Sequence, residues 1–214
     1  MTDIIVKDII DNLINKIIVI FTKNTLICTD KSFLNTFSII IFKNLIDKCI
    51  IDINKKIINH PSIILFGKTI NPKRKVGFFS NFSIGYNYSK QLLKSQILTE
   101  NLISLLFIIN NIFLTDYNGI LVNYYENGES NICKHSDDEI NLDNKGVICI
   151  SIGSIRKFRI RDKFNNKIIC DVPTIPYEII QMGGNFQKEF THEIPIQKKI
   201  KEYRISFTFR KHNI

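Results

Sequence analysis

Short strand-like segments, separated by turn signals, fill the chain from Asn118–Gly119 onward, and they constrain the fold more than any other feature. The turn signals are Glu126–Gly128, Asn144–Gly146, Asn165–Asn166 and Gly183–Gly184. The segments are Ile120–Tyr125, Val147–Ile152, Lys157–Arg161, Lys167–Val172, Tyr177–Gln181 and Tyr203–Arg210. Many short strands of this kind predict a β-sandwich or jelly roll.

The first half of the chain favours helices instead. Apolar side chains recur mostly at helical spacings up to about Lys56, as in Phe37, Ile40 and Ile41, and a second helix is predicted over roughly Lys90–Phe113. Helices followed by many strands indicate the α+β class. We therefore expect residues 1–56 to form a helical N-terminal extension and residues 57–214 to form one jelly-roll domain.

Composition is that of an ordinary globular protein, with 44% hydrophobic and 23% charged residues in 214. The net charge of +9 would attract phosphate backbones, although a general bias toward lysine produces the same surplus. Five cysteines without a C-x-x-C pair indicate neither a disulfide framework nor a zinc ribbon. Charges interrupt Met1–Lys23, and the uncharged run Asn101–Thr115 is too short for a bilayer. We expect a soluble, intracellular monomer that does not enter membranes.

The segment Tyr203–Arg210 alternates polar and apolar residues. In a strand, Ile205, Phe207 and Phe209 would share one face, and Arg204, Ser206, Thr208 and Arg210 would share the other. One interpretation is an edge strand with a solvated polar face. The other is a pocket wall whose guanidiniums bind a dicarboxylate, which the planar fork of arginine suits.

A second segment, His135-Ser136-Asp137, places an imidazole and a carboxylate two residues apart. A facial triad of two histidines and one carboxylate needs such a pair and a distant histidine. His60 lies in an early turn and His212 lies near the end of the chain, so His192 is the candidate. A solvated loop histidine beside surface acids is the alternative. The order H-x-D, several strands, His, then R-x-S-x-T-x-R favours the metal site.

Just before this pair, Asn123 and Tyr125 would share one face of a strand and can both hydrogen-bond to a carboxylate. Core packing is the alternative for Tyr125. Taken in order, these residues resemble the AlkB family of nucleic-acid dealkylases. The resemblance covers about Ile63–Lys211 and includes Phe66-Gly67-Lys68 and Pro72–Lys75, which are similar to that family's nucleotide-recognition lid.

The resemblance implies a double-stranded β-helix, the jelly-roll core of this family, with Fe(II) held by His135, Asp137 and His192. The co-substrates would be 2-oxoglutarate and O2. Arg204 and Tyr125 would hold the distal carboxylate of 2-oxoglutarate, and Arg210 and Asn123 would approach its keto-acid end. Ser206 and Thr208 complete the polar face of that strand.

The resemblance also implies contacts to substrate. Tyr88 and Tyr86 would cover a flipped base, Glu139 would contact the lesion, and Phe66 would fill the gap in the base stack. A core position is the alternative for Phe66. Basic residues of the lid and of a later strand would follow phosphates, or would be solvated charges: Lys68, Lys73, Arg74, Lys75, Lys157, Arg159 and Arg161.

The expected reaction is oxidative dealkylation of bases such as 1-methyladenine and 3-methylcytosine in duplex or single-stranded DNA, with release of aldehyde, succinate and CO2. An RNA demethylase of the same chemistry and a catalytically silent nucleic-acid-binding module are the alternatives. Two departures leave the substrate open. Ser206 replaces an asparagine common in repair-type members, and Phe190 stands where a tryptophan often precedes the distal histidine.

Overall fold

In a computed structural model of the chain, the structure describes residues 16–22, 25–30, 36–65, 68–88, 91–137 and 146–212. Three helices occur within these segments: α1 (Thr36–Asn54), α2 (Glu100–Phe113) and α3 (Phe186–Glu189). The strands there are β1 (Lys16–Thr22), β2 (Thr25–Asp30), β3 (Ile58–Asn59), β4 (Ile63–Leu65), β5 (Lys68–Ile70), β6 (Lys75–Phe79), β7 (Gly85–Tyr88), β8 (Gln91–Lys94), β9 (Gly119–Tyr125), β10 (Ile132–His135), β11 (Val147–Gly153), β12 (Lys157–Asp162), β13 (Ile168–Pro173), β14 (Ile179–Gly184), β15 (Phe190–Ile194) and β16 (Arg204–Arg210).

Two antiparallel sheets form the body of the molecule. The larger has eight strands in the order β1-β2-β14-β11-β16-β9-β6-β3, and the smaller has four in the order β10-β15-β12-β13. The pairs β4–β5 and β7–β8 form separate hairpins. Apart from the consecutive pairs β1–β2 and β12–β13, neighbouring strands in the two sheets are not consecutive in sequence, as in a jelly roll.

The large sheet packs on both of its faces. On one face, β16 contributes Ile205, Phe207 and Phe209 to a core shared with α1 and α2, whose buried residues include Phe42 and Leu105. On the other face, a second core joins the two sheets through residues such as Val147, Met182, Phe158, Ile160 and Phe190. Because both faces are covered, all seven residues of β16 are buried.

Helix α2 begins at Glu100 because Thr99 caps it. The Thr99 hydroxyl accepts a hydrogen bond from the Leu102 amide at 3.3 Å and donates one to the Asp52 carboxylate of α1 at 2.5 Å. The predicted helix from Lys90 is therefore wrong at its start. Residues Gln91–Lys94 pair with β7 as β8 instead.

Among the described residues of the predicted N-terminal extension, Thr36–Asn54 form a helix. Residues Lys16–Thr22 and Thr25–Asp30, predicted as helix, are strands, and Thr25–Asp30 pairs along its whole length with Ile179–Gly184. Their short apolar runs fit a helix or a strand equally well, and pairing with other strands decides between them. No helix in the part of the chain that the structure describes is long and apolar enough to cross a membrane.

Candidate metal and co-substrate site

Three predicted metal ligands converge at one end of the small sheet. His135 ends β10 and lies opposite His192 of β15, with their ring centroids 4.3 Å apart. The Asp137 carboxylate is 3.8 Å from Nε2 of His135 through Oδ1 and 3.8 Å from Nε2 of His192 through Oδ2. One ligand atom from each residue lies within 4.8 Å of the others. Two imidazole nitrogens and one carboxylate in this arrangement form the facial triad that binds Fe(II).

Hydrogen bonds around the triad fix its side chains. The Nδ1 atom of His135 donates to the Cys133 carbonyl oxygen at 2.9 Å, so Nε2 keeps its lone pair for a metal. The Ser136 hydroxyl donates to the carbonyl of Phe190 at 2.9 Å, and the Asp137 amide donates to Gln187 Oε1 at 2.8 Å. These bonds attach the segment after β10 to β15 and α3, and so set the position of the carboxylate.

The electrostatics keep all three ligands deprotonated. Burial opposes ionisation of Asp137, but the nearby charge of Arg210 and the two imidazoles outweigh it and lower the pKa to about 2. Burial, then the neighbouring His135, lowers the pKa of His192 to about 3. Burial also lowers the pKa of His135. Protons therefore compete weakly with a metal ion at neutral pH.

The triad opens into a cavity whose opposite wall is the large sheet. The side chains of Arg204, Ser206, Thr208 and Arg210 line this cavity, as the alternation of their strand predicts. The interpretation as a solvated edge strand is wrong, because β16 lies between β11 and β9 in the sheet. Asn123 and Tyr125 of β9 line the same cavity.

The buried guanidinium of Arg204 tests whether the cavity fits an anion. Arg204 is 1% exposed, and its Nη2 donates to the Ser151 hydroxyl at 2.8 Å. Its Nε and Nη1 atoms have no hydrogen-bond partner among the described residues. Burying such donors unpaired is costly, so a carboxylate in the cavity fits this arginine. The cavity thus suits 2-oxoglutarate beside Fe(II).

The other predicted co-substrate residues surround this arginine and the triad. The Tyr125 ring centroid is 5.1 Å from the Arg204 guanidinium carbon. Asn123 is also buried, and its Oδ1 accepts a hydrogen bond from Nε of Arg74 at 3.0 Å. Nη2 of Arg210 lies 3.5 Å from Asp137 Oδ2, so this arginine is at the metal end of the cavity.

The predicted substrate contacts divide into two groups. Arg74 and Tyr86 line the cavity, and both are buried, at 7% and 5% exposure. Arg74 is therefore not the surface contact to phosphates that the sequence predicts. Phe66 and Glu139 lie outside the described residues, as do the side chains of Lys68 and Tyr88.

Most of the other predicted phosphate contacts are in ion pairs. Arg159 and Lys157 bind the Asp171 carboxylate at 2.7 and 3.1 Å, and Arg161 binds that of Glu193 at 2.9 Å. Lys73 pairs with Glu129 at 3.0 Å, and the Lys75 ammonium lies 5.7 Å from the Tyr124 ring centroid. The charges on β12 are thus neutralised by their neighbours.

Two polar residues of the site are not predicted from the sequence: Ser151, which supports Arg204 from behind the cavity wall, and His60, which lies in that wall. Ser151, which binds Arg204, is the single hydroxyl in the apolar strand Val147–Ile152, and the alternation of that strand places it on the same face as Cys149. His60 also lines the cavity, although its turn position argues against it as a metal ligand. A polar residue on the inward face of a predicted strand, such as Ser151, could have been identified as a site residue from the sequence. A histidine in a turn, such as His60, could not.

Comparisons with known proteins agree with this geometry. Over 155 residues the chain is 24% identical to the DNA oxidative demethylase ALKBH2 of Homo sapiens, covering 69% of this chain and 59% of the relative. Over 103 residues it is 28% identical to the alpha-ketoglutarate-dependent dioxygenase alkB homolog 3 of Rattus norvegicus, covering 44% of this chain and 35% of the relative. The match thus spans less than two thirds of the first relative's length and about a third of the second's.

A solved structure supports the fold independently. The structure of OsALKBH1 superposes with a TM-score of 0.58 at 15% identity and covers 90% of this chain and 100% of that one. Residues 71–210 match the sequence profile of the 2OG-Fe(II) oxygenase superfamily. This match spans well over half of the chain and contains both the triad and the strand Arg204–Arg210. The chain therefore belongs to the 2OG-Fe(II) oxygenase superfamily, as an AlkB-like member.

Proposed function

We propose that this chain is an Fe(II)- and 2-oxoglutarate-dependent dioxygenase that removes methyl groups from ring nitrogens of bases in nucleic acid, with DNA as its preferred substrate. The observation that carries the proposal is the cavity that the triad His135, Asp137 and His192 shares with Arg204, whose Nε and Nη1 have no hydrogen-bond partner among the described residues. A catalytically silent module would not need both groups in one cavity.

In this proposal each wall of the cavity has a separate task. His135, Asp137 and His192 hold Fe(II), and Arg204, with Tyr125 beside it, binds the distal carboxylate of 2-oxoglutarate. Together with 2-oxoglutarate and O2, the bound Fe(II) supplies the oxidation that hydroxylates the methyl carbon. The hydroxymethyl group then leaves as formaldehyde and restores the base.

The residues around the ligands position the reactants. Ser151 holds the Arg204 guanidinium through Nη2, which leaves the rest of the fork directed at the co-substrate. Nε of Arg74 donates a hydrogen bond to the Asn123 oxygen, so the amide nitrogen of Asn123 is the group that can donate to 2-oxoglutarate. Arg210 keeps Asp137 ionised by its proximity.

The substrate class rests on similarity and on charge. One relative is named a DNA oxidative demethylase, and it overlaps more of this chain than the other does. The chain carries a net charge of +9, which favours a phosphate backbone. The aromatic ring of Tyr86 in the cavity wall offers a surface for a flipped base.

Methyl loss from defined oligonucleotides tests the proposal. The purified protein is incubated with Fe(II), 2-oxoglutarate and ascorbate, and 1-methyladenine is offered in duplex DNA, single-stranded DNA and RNA. We expect methyl loss and formaldehyde, with faster turnover on DNA, and no turnover for His135→Ala or Asp137→Ala. Arg159→Met, on the outer face of β12, is the control that should retain activity.

The outcomes separate the alternatives. Faster turnover on RNA than on DNA would support the proposed demethylation chemistry and identify RNA as the preferred substrate. Failure on every methylated substrate by protein that binds iron and 2-oxoglutarate would contradict the proposed function and favour the silent module.

A further inference from the structure

A second buried arginine, Arg156, lies beside the co-substrate end of the cavity. It directly precedes β12, it is 1% exposed, and it is not among the described residues that line the cavity. Its guanidinium carbon lies 5.9 Å from the centroid of the Tyr125 ring, and the guanidinium carbon of Arg204 lies 5.1 Å from the same centroid. Both distances are within the range of about 6 Å over which a ring face attracts a cation. The Tyr125 ring therefore interacts with two guanidiniums.

Hydrogen bonds fix the Arg156 side chain between two connecting segments. Its guanidinium donates bonds of 2.9 to 3.4 Å to five oxygens, which are the carbonyls of Asn127, Gly128, Ser130 and Pro195 and the Oε1 atom of Gln197. The first three lie in the loop after β9, which starts directly after Tyr125. The last two lie after β15, in the segment that leads to Arg204 at the start of β16. Arg156 thus joins the chain that follows Tyr125 to the chain that precedes Arg204.

The hydrogen-bond partners of Arg156 do not balance its charge. All five acceptors are neutral oxygens, and the bond that Arg204 donates also goes to a neutral oxygen, the Ser151 hydroxyl. Burial, then repulsion from the charge of Arg204, lowers the pKa of Arg156, although a guanidinium stays protonated at neutral pH. Two buried positive charges near one another are costly in the free protein. A dicarboxylate bound at Arg204 would offset this cost.

Tyr125 connects Arg156 to the cavity. It is 2% exposed, its side chain lines the cavity, and its hydroxyl can donate a hydrogen bond to a carboxylate. Without the Arg156 guanidinium the ring would lose one of its two cation contacts and the group packed beside it, and it would be free to move away from Arg204. A displacement of about 1 Å in a group that holds a reactant is enough to weaken its effect strongly. The position of Tyr125 therefore depends on Arg156.

Resting on the proposed function, we propose that Arg156 is a positioning residue for the distal carboxylate of 2-oxoglutarate. It holds the Tyr125 ring beside Arg204 and adds a second positive charge behind the cavity wall, and it binds neither the metal nor the co-substrate directly. Its loss should weaken binding of the distal carboxylate. Binding of the metal and of the keto-acid end should stay unchanged.

Two keto acids that differ only at the distal end test the proposal. 2-Oxopentanoate carries a methyl group where 2-oxoglutarate carries its distal carboxylate. Calorimetric titration of the Mn(II)-loaded protein gives the affinity for 2-oxoglutarate, and the same titration in excess 2-oxopentanoate gives that of the weaker ligand by displacement. For Arg156→Met we expect 2-oxoglutarate affinity to fall about tenfold and 2-oxopentanoate affinity to match the parent's. Arg156→Lys, which keeps the charge without the fork, should show a smaller loss that is again restricted to 2-oxoglutarate.

A matched control and the metal affinity separate positioning from a general structural effect. Arg159→Met makes the same change three residues away, at an arginine paired with Asp171, and should bind both keto acids as the parent does. Mn(II) affinity should be the same in all variants. An equal fall for both keto acids, or parent-like 2-oxoglutarate affinity in Arg156→Met, would overturn the inference; if Arg156→Met does not fold, Arg156→Lys decides by the same comparison. A parent that binds Mn(II) but no 2-oxoglutarate would instead contradict the proposed function itself.

Discussion

Arg204 shows how a buried charge at one residue constrains a whole site. Its guanidinium is almost fully buried and donates a hydrogen bond to Ser151, and two of its nitrogen atoms have no hydrogen-bond partner in the described part of the chain. Such an arrangement is unfavourable in the free protein and becomes favourable when a carboxylate enters. The affinity for 2-oxoglutarate should therefore depend on the planar fork as well as on the charge.

Substitution of Arg204 tests that dependence. We expect Arg204→Met to weaken 2-oxoglutarate binding about 10- to 100-fold, the range for lost hydrogen bonds to a charged group, with metal affinity unchanged. Arg204→Lys should give an intermediate loss, because lysine keeps the charge without the fork. Calorimetric titration of the metal-free protein with Mn(II) measures the metal affinity, and titration of the Mn(II)-loaded protein with 2-oxoglutarate measures the co-substrate affinity. Parent-like co-substrate affinity in Arg204→Met would show that the carboxylate binds elsewhere.

The residues that sequence reasoning identifies are those with a regular pattern. The alternation of Arg204 to Arg210 predicts the inward face of β16 correctly, since strand geometry fixes side-chain direction. The H-x-D pair lies at the end of β10, where Asp137 follows the strand. His60 follows no period, because its place in the wall depends on β3 pairing with β6 far along the chain. Arg74 is likewise read as a surface cation, because burial of a lone arginine depends on partners such as Asn123.

At the scale of elements, ion pairs across β12, β13 and β15 stabilise the outer face of the small sheet. Asp171 of β13 accepts from both Nε and Nη2 of Arg159, at 2.7 and 3.0 Å. The hydrogen bond from Arg159, aided by Lys157, lowers the pKa of Asp171 to about 2. Its side chain is 26% exposed, so solvent reduces the stabilisation to about 1 kcal/mol or less.

This ion pair predicts a pH-dependent stability. The folded-state pKa of Asp171 lies below its ordinary value of 3.8, so its contribution is present above about pH 4 and is lost as pH falls toward 2. We expect Asp171→Asn to unfold at lower urea than the parent at pH 6, with the difference shrinking between pH 4 and 2.5. The exposed Glu202→Gln is the matched control, and its urea midpoint at pH 6 should stay close to that of the parent. If the difference in urea midpoint between Asp171→Asn and the parent did not change with pH, the loss of stability would come from altered packing and not from the ion pair.

Strands are predicted where turns bound them and missed where pairing alone defines them. The six predicted C-terminal segments all contain strands, whereas β1 and β2 are read as helix. Strand β2 lies between β1 and β14. One of its edges pairs with its sequence neighbour β1, and the other pairs with β14, which is distant in sequence. Local hydrophobic spacing contains no information about that pairing.

For the whole molecule, the important feature is that the site spans both sheets. On the side of the small sheet, β10 supplies His135, β15 supplies His192, and the segment after β10 supplies Asp137. The large sheet supplies Arg204 and Arg210. In the proposed binding mode, a metal ion with 2-oxoglutarate would contact both layers of the sandwich at once. Ligands that bind only the folded state stabilise it by mass action.

This bridging predicts a cooperative rise in thermal stability. At about 100 times its Kd a ligand stabilises the fold by about 2.7 kcal/mol, which for a chain of this size raises Tm by about 5–10 °C. We expect Mn(II) alone to raise Tm, and 2-oxoglutarate to add a second increment that requires the metal, because its keto acid binds there. Arg204→Met should keep the first increment and lose most of the second, and His192→Ala should lose both. Scanning calorimetry with the four ligand combinations measures each step, and an equal 2-oxoglutarate increment without metal would contradict a shared site across the two sheets.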